Sequence, residues 1–192
     1  LALDTRALKM LAKGGLKIFG DDGLLSLVAN EIEEEGIKVI GIEQILSEVL
    51  TKEGLLAGPA PTKIFWDDIK RGLHVLNRLG PCDVGQSIAV QEGVVLAIEA
   101  IEGTDQMIER AGSLKRNVSG PILIKMSKAN QDKRVDLPTA GPETVNNAIR
   151  WGFQGLALEA NNSLLLDQDR VMKIAEKNSF FVIGLDQSKM LQ

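Results

Sequence analysis

Apolar residues recur along most of the chain at the spacing of amphipathic helices, and these helical stretches alternate with short apolar runs. In residues 24–35 the apolar side chains share one helical face, and Gly36 directly after them fits a helix end. Short apolar runs between such stretches are typical of buried strands. The alternation predicts parallel sheets with crossover helices, which is an α/β fold.

The same reading applied to the whole chain predicts repeated strand–helix units. In the first part the predicted helices are 4–13, 24–35 and 42–50, and the predicted strands are 16–19 and 37–42. In the second part the predicted strands are 94–101, 121–126, 155–159 and 180–184, and the predicted helices are 63–79, 105–111, 142–151 and 169–178.

Residues 54–62, with the sequence GLLAGPAPT, interrupt this pattern. Two prolines and two glycines in nine residues disfavour regular structure, so we predict a loop and a domain boundary there. Residues 1–62 would form a Rossmann-like first domain, residues 63–83 a linker helix, and residues 84–192 a second α/β domain.

Composition and charge narrow the function. The 192 residues are 44% hydrophobic and 25% charged, as in ordinary globular proteins, and the net charge is −4. Acidic and basic residues are interspersed without a basic stripe, so we expect no nucleic acid partner. No apolar run approaches the ~20 residues of a membrane span, so we expect a soluble, cytoplasmic protein.

The chain has one cysteine, Cys82, and one histidine, His74. Thiolate zinc sites, disulfides within the monomer and histidine-rich metal clusters are therefore excluded. We interpret His74 as a surface or packed residue of the predicted helix 63–79. Catalysis would rely on carboxylates, cations, hydroxyls and backbone amides, with a hard ion such as Mg²⁺ or Mn²⁺.

Two predicted strands end in similar sequences. Residues 95–100 (VLAIEA) and 155–160 (GLALEA) each place a glutamate, Glu99 or Glu159, near the end of an apolar strand. Side by side, such strands would bring two carboxylates to the sheet edge where ligands of α/β proteins bind. The alternative, which we favour at this point, is that the two sequences are alike only because buried strands of α/β proteins resemble one another, so that their likeness does not indicate a shared site.

Three blocks of the second half also occur together: residues 84–105 (VGQSIAVQEGVVLAIEAIEGTD), 131–142 (QDKRVDLPTAGP) and 155–160. In this order and spacing they resemble the LpxI family of UDP-2,3-diacylglucosamine pyrophosphatases, which act in lipid A biosynthesis in Gram-negative bacteria. Residues 1–83 resemble, less specifically, the later part of the family's N-terminal domain and its linker. The family's Gly-rich opening segment is not found, so we expect an incomplete first domain here.

The resemblance implies a reaction and its partners. Family members use Mg²⁺ to hydrolyse the pyrophosphate of UDP-2,3-diacylglucosamine, and water attacks the sugar-side phosphorus. The products are UMP and 2,3-diacylglucosamine 1-phosphate, which is known as lipid X. A further hypothesis is that the protein docks peripherally on the inner membrane. The sequence does not determine the oligomeric state, and a homo-oligomer is compatible with it.

The resemblance also implies site residues. Asp136 matches the acidic residue of the family's Asp-Leu-Pro motif and would bind the metal or position water, although a turn aspartate is the alternative. Glu102 and Thr104 match the first block, which makes Glu102 a candidate metal ligand and Thr104 a candidate substrate contact. Thr104 as a plain helix N-cap is the competing interpretation.

Substrate contacts would come from residues around these blocks. Lys125, Lys128 and Arg134 are nearby cations for phosphates, and at least one of them is expected to be simply solvated. The other candidates are Gln86 and Ser87 for the nucleotide or acyl sugar, Thr139 and Gly141 at a helix start that could hold a phosphate, and the leucines 55–56 and 164–166 for the acyl chains. Glu143 argues against a phosphate at this helix start, because its negative charge in the first turn would repel an anion. The leucines have an alternative interpretation as core residues, which leucine clusters usually are.

Two other functions remain open on the sequence. One is a sugar-nucleotide or lipid-binding protein of the same fold without turnover. The other is a nicotinamide-dependent enzyme, to which we give little weight because no strand is followed by Gly-x-Gly-x-x-Gly.

Overall fold

The computed structural model describes residues 21–128 and 132–190. The described chain forms two compact units. The first contains residues 21–47 and 132–137, and the second contains residues 48–128 and 138–190. Among these residues, no helix is both long and apolar enough to cross a membrane.

The first unit contains helix α1 (Asp21–Glu34), which confirms the predicted helix 24–35. The chain leaves α1 through Gly36, whose φ of 85° is the left-handed conformation expected at a helix end. The predicted strand 37–42 is wrong, since residues 37–41 have no regular structure. This segment folds back on α1 instead, where the Val39 N–H donates to Glu33 Oε1 at 3.3 Å.

Two short 3-10 turns, Ile42–Gln44 and Ser47–Val49, replace the helix predicted at 42–50. The predicted helix would be only nine residues long, and helices shorter than ~12–15 residues are marginal without tertiary packing, so the amphipathic pattern alone does not sustain it. The helix predicted at 4–13 and the strand predicted at 16–19 lie outside the described residues.

The second unit is built on a six-stranded mixed sheet and a small two-stranded parallel sheet. In chain order the strands are β1 (Gly54–Ala57), β2 (Ser87–Gln91), β3 (Val94–Ile98), β4 (Ile122–Lys125), β5 (Thr139–Ala140), β6 (Gly155–Glu159), β7 (Leu164–Leu165) and β8 (Phe181–Leu185). The large sheet has the order β1-β8-β6-β4-β2-β3, and β5 pairs with β7. The α/β fold class predicted from the sequence is therefore confirmed.

Helices cover both faces of the large sheet. They are α2 (Lys63–Leu79), α3 (Gly103–Ser113), α4 (Pro142–Arg150), α5 (Gln168–Lys177) and the short α6 (Gln187–Met190), with a 3-10 turn at Gly80–Cys82. One core contains residues of α3, α4 and α5 and the strand residues Ala89, Ala97 and Leu123. The other core joins α2 to the alternate strand residues, such as Ile88 and Ile124. Because both faces are covered, the central strands are apolar at nearly every position.

The directions of the strands bring several chain segments to one edge. Strands β4, β6 and β8 are mutually parallel, and β2 is antiparallel to both β3 and β4. The carboxyl ends of β3, β4, β6 and β8 therefore meet at one edge of the sheet, which also holds the start of β2. In open α/β sheets this carboxyl edge is where ligands bind.

The predicted domain boundary differs from the observed division. Residues 54–57 of the predicted loop form β1, which pairs antiparallel with β8. The predicted linker helix 63–79 is present as α2, with Ile69 and Leu73 buried against the sheet of the second unit. Ile64, in the first turn of this helix, is 49% exposed. Strand β2 was not predicted, because its sequence was read only as part of a motif.

Candidate active site

A chain of hydrogen bonds links three polar side chains at the carboxyl edge. Thr104, in the first turn of α3, donates from Oγ1 to Glu99 Oε1 at 2.7 Å, and Lys125 Nζ donates to Thr104 Oγ1 at 2.6 Å. Glu99 directly follows β3, Lys125 is the last residue of β4, and both are more than nine-tenths buried. The sheet thus holds a buried carboxylate and a buried ammonium group on either side of one hydroxyl.

Ser87 completes this arrangement, which we call the Glu99 corner (Ser87, Glu99, Thr104 and Lys125). Ser87 pairs directly with Lys125 in the β2–β4 ladder, and its carbonyl accepts the N–H of Glu99 at 2.9 Å. Opposed residues of antiparallel strands place their side chains on the same face, so all these groups share the face covered by α3. Gly85 allows the close approach, since a Cβ there would overlap the carbonyl of Glu99.

Two polar atoms of the Glu99 corner are buried without a partner. Within the part of the chain that the structure describes, neither Glu99 Oε2 nor Ser87 Oγ makes a hydrogen bond. Glu99 is 8% exposed and Ser87 is fully buried. Buried polar groups are normally satisfied, because an unmade hydrogen bond costs about 1–3 kcal/mol. Because ligands of open α/β sheets bind at the carboxyl edge, these two atoms make the Glu99 corner a candidate binding site.

Glu159 does not join Glu99, although their sequences suggested that their strands could be neighbours. Strands β4 and β2 lie between β6 and β3. Alternation along β6 also places Glu159 with Ala157, on the face covered by α2. There Glu159 Oε2 accepts the N–H of Ser127 at 2.9 Å and the Ser127 hydroxyl, and Oε1 accepts Asn162 Nδ2 at 2.9 Å.

Glu102 holds the turn before α3. Its Oε1 pairs with Arg110, and its Oε2 accepts the N–H of Ala100 at 3.1 Å. The hydrogen bond from Arg110 is the main reason that the pKa of Glu102 lies below its usual range. The N-cap of α3 is Glu102 and not Thr104, because the helix already begins at Gly103 and the Thr104 hydroxyl bonds Glu99.

The remaining candidates of the second unit lie close to the same edge. Gln86 immediately precedes β2, and its carbonyl accepts the Met126 N–H at 2.9 Å. Lys128, shortly after β4, forms an ion pair with Asp83. Both are bound to neighbouring groups, and their roles toward a substrate stay predictions.

Thr139 and Gly141 flank the start of α4. Thr139 lies in β5 and pairs with Leu164, while Gly141 is the N-cap of the helix and Pro142 its first residue, as predicted. Glu143 in the first turn is exposed, 3.9 Å from Arg170. Because β6 begins at the opposite edge of the sheet, α4 starts at the carboxyl edge.

The histidine, the cysteine and the leucines considered above lie outside the Glu99 corner. His74 and Cys82 are exposed. Of the leucines considered for acyl chains, Leu165 is buried in the core beside α4 and α5, whereas Leu55 and Leu166 are exposed.

In the first unit, Arg134 is the centre of a polar cluster. Its guanidinium donates to both carboxylate oxygens of Asp132, to Glu33 Oε2 at 2.7 Å and to Asn30 Oδ1 at 3.1 Å. These hydrogen bonds lower the pKa of Asp132 and of Glu33 and raise the pKa of Arg134. Asp136 follows in the same segment, half-buried, with its N–H bonded to the Asp132 carbonyl at 3.1 Å.

Among residues 21–128 and 132–190, no group of three or more His, Cys, Asp or Glu side chains is placed to hold an ion. The Mg²⁺ or Mn²⁺ expected from the sequence stays a prediction.

Comparison with known proteins agrees with the motifs. The family profile described as the LpxI C-terminal domain matches residues 52–183, and the LpxI N-terminal domain matches residues 1–49. UDP-2,3-diacylglucosamine pyrophosphatase LpxI from Caulobacter vibrioides is 38% identical over 173 residues, which cover 87% of this chain and 62% of that protein. The chain thus spans less than two thirds of this relative's length.

Proposed function

This chain belongs to the LpxI family, and from that premise we propose that it hydrolyses the pyrophosphate of UDP-2,3-diacylglucosamine in lipid A biosynthesis. In the proposed reaction, water attacks the sugar-side phosphorus and its oxygen remains on 2,3-diacylglucosamine 1-phosphate. UMP leaves with the bridging oxygen.

The observation that carries the proposal is the 38% identity to the UDP-2,3-diacylglucosamine pyrophosphatase of Caulobacter vibrioides across most of this chain. Both family domains match, and the second match covers the strands that hold the Glu99 corner. The Glu99 corner supports the proposal independently, because ligands of α/β sheets bind at the carboxyl edge.

In the second unit we assign substrate contacts to Ser87, Thr104 and Lys125. Lys125 bonds Thr104 and pairs with Ser87 in the sheet, and its buried ammonium group is suited to an anionic substrate. Gln86, Thr139 and Gly141 are kept as further contacts at the same edge.

In the first unit we assign the catalytic role to Asp136, on the family motif, and a substrate-binding role to Arg134. Mg²⁺ is the metal of the proposed reaction, with Asp136 as its ligand and Glu102 as the second candidate, both on the family motifs. When bound, the ion would neutralise phosphate oxygens and lower the pKa of a bound water. Glu102 is the weaker ligand, because both its oxygens already accept hydrogen bonds.

The location of the reaction follows from the lipid substrate. The proposed site of action is the cytoplasmic face of the inner membrane, with peripheral attachment through the substrate's acyl chains. Sedimentation with phospholipid vesicles, with and without UDP-2,3-diacylglucosamine, measures this attachment. A protein that stays in the supernatant in both cases contradicts it.

The deciding experiment is incubation with UDP-2,3-diacylglucosamine in ¹⁸O water, with Mg²⁺ or with EDTA, followed by mass spectrometry. We expect UMP without the label and 2,3-diacylglucosamine 1-phosphate with one ¹⁸O, only when Mg²⁺ is present. Substrate binding without turnover in Mg²⁺ or Mn²⁺ would instead support a non-catalytic binding protein.

A further inference from the structure

The two unpartnered atoms of the Glu99 corner belong to residues that face each other across two neighbouring strands. Ser87 and Glu99 are opposed across the β2–β3 ladder, where the Ser87 carbonyl accepts the Glu99 N–H. Cβ atoms of opposed residues on one face are roughly 4.5–5.5 Å apart. Glu99 Oε2 and Ser87 Oγ are therefore two acceptors on neighbouring side chains.

The hydrogen bonds around Glu99 fix its orientation. Its Oε1 is occupied by Thr104, whose hydroxyl is itself held by Lys125. Thr104 and Gly103 are half-buried, so the corner reaches the surface of the unit at the start of α3, with the two unpartnered atoms buried beneath it. The other carboxylate oxygen is thus held in place for a donor that the described protein does not supply.

The chemistry of the proposed substrate restricts that donor. Two neighbouring acceptors match two adjacent hydroxyls. In UDP-2,3-diacylglucosamine, positions 2 and 3 of glucosamine carry acyl groups, which leaves hydroxyls only at the non-adjacent positions 4 and 6. The ribose keeps its adjacent 2′- and 3′-hydroxyls, and a carboxylate at a strand's carboxyl end is a common ribose ligand in α/β nucleotide sites.

We infer that Glu99 and Ser87 bind the ribose hydroxyls of the uridine nucleotide. This inference rests on the proposed function and assigns the nucleotide half of the substrate to the carboxyl edge of the second unit. Asp105 in the first turn of α3 is exposed and negative, so the inference concerns the ribose and places no phosphate at that helix start.

The test compares the binding of UMP and 2′-deoxy-UMP by calorimetry in EDTA, for the parent chain, Glu99→Gln and Ser87→Ala. The exposed Glu109→Gln on α3 is the matched control. We expect the parent and control to prefer UMP about tenfold or more, as for a hydrogen bond to a charged group, and this preference to vanish in Glu99→Gln. Ser87→Ala is expected to weaken UMP binding severalfold.

Thermal melting separates binding from folding. Removing an unpartnered buried hydroxyl costs no hydrogen bond within the protein, so the melting temperature of Ser87→Ala should stay constant or rise by up to ~4 °C. A role in folding alone predicts a lower melting temperature and unchanged nucleotide preference.

The outcomes also separate this inference from the proposed function. Hydrolysis by the parent together with an unchanged UMP preference in Glu99→Gln overturns the ribose site and leaves the pyrophosphatase standing. If Glu99→Gln loses affinity for Mg²⁺ but still discriminates UMP from 2′-deoxy-UMP, then Glu99 and Ser87 belong to a cation site. That outcome also overturns the ribose site. A parent chain that prefers UMP but shows no turnover, with the preference lost in Glu99→Gln, supports the ribose site and contradicts the proposed hydrolysis.

Discussion

Glu99 and Glu159 leave the same edge of the sheet on opposite faces, with strands β4 and β2 between them. Glu99 bonds Thr104 beneath α3, while Glu159 bonds Ser127 and Asn162 on the side of α2. Two carboxylates in one site would repel each other, and removing one would relieve the other. Here the sheet separates them, so their contributions should be independent.

Glu159→Ala should lower the free energy of unfolding by about 2–4 kcal/mol, because it leaves the Ser127 and Asn162 donors without their acceptor. In the double variant with Glu99→Gln, the change in the free energy of unfolding should equal the sum of the changes in the two single variants within ~0.5 kcal/mol, measured by urea unfolding. Glu176→Ala, an exposed residue of α5, is the control and should be neutral. A strong coupling between the two glutamates would contradict the opposite-face arrangement.

Asp68 is expected to be essential for the β2–β3 hairpin. This residue of α2 is 1% exposed, and its carboxylate accepts the N–H groups of Glu92 at 2.9 Å and Gly93 at 2.5 Å. Both turn residues have positive φ, as a tight two-residue hairpin requires. Asp68→Ala should cost about 2–4 kcal/mol in urea unfolding, and Asp68→Asn less, since one oxygen can still accept.

The neighbouring Asp67 is exposed and provides the control for this prediction. Asp67→Ala should unfold at the same urea concentration as the parent. Equal midpoints for the Asp67 and Asp68 variants would show that the hairpin turn does not depend on the buried carboxylate.

The Arg134 cluster predicts how stability depends on pH. Hydrogen bonds from Arg134 hold the pKa values of Asp132 and Glu33 below their usual ranges, so both carboxylates stabilise the folded state in their charged forms. This contribution is fully present above about pH 5, the region above ordinary carboxyl pKa values, and is lost as pH falls through the lowered values. Arg134→Gln should therefore lower the melting temperature at pH 7.

The same melting experiment repeated down to pH 3 should show the difference between the parent and Arg134→Gln shrinking toward zero. A difference that is constant across this range would mean that Arg134 acts through packing of its side chain and not through the two carboxylates.

Asp136 carries the prediction for the chemistry. Asp136→Ala should fold with an unchanged melting temperature and lose nearly all hydrolysis of UDP-2,3-diacylglucosamine, by about a thousandfold or more if it holds the metal. EDTA should abolish turnover by the parent, and added Mg²⁺ should restore the parent but not the variant. The exposed Asp169→Ala is the control, and parent-like turnover by Asp136→Ala would remove Asp136 from the mechanism.

Elements with a complete amphipathic or apolar pattern of their own could be predicted from the sequence. Helix 63–79 and strand 155–159 were predicted at their observed bounds. Strand β1 could not be predicted, because the Gly- and Pro-rich stretch around it forms a strand only by pairing with β8. The reverse happened at residues 37–42, where an apolar run forms no strand and its backbone bonds α1 instead.

In the candidate site, too, the sequence indicated individual residues but not their arrangement in space. Ser87, Thr104 and Lys125 were predicted as separate contacts, and the structure brings them together. Glu99 was considered through its likeness to Glu159, with adjacent strands as one possibility and a mere resemblance of buried strands as the favoured alternative; the two strands are not adjacent. Strand order and the face of each side chain depend on the whole sheet, and local sequence does not contain them.

The order of the strands also affects how the second unit assembles on the ribosome. Strand β1 is made first of all the strands of the large sheet, and its partner β8 is made last. The β2–β3 hairpin can form early, since its strands are adjacent in sequence, whereas β1 must wait until nearly all of the unit has been synthesised. During that interval an apolar segment lacks its partner, so translation is the stage at which this unit is most exposed to aggregation.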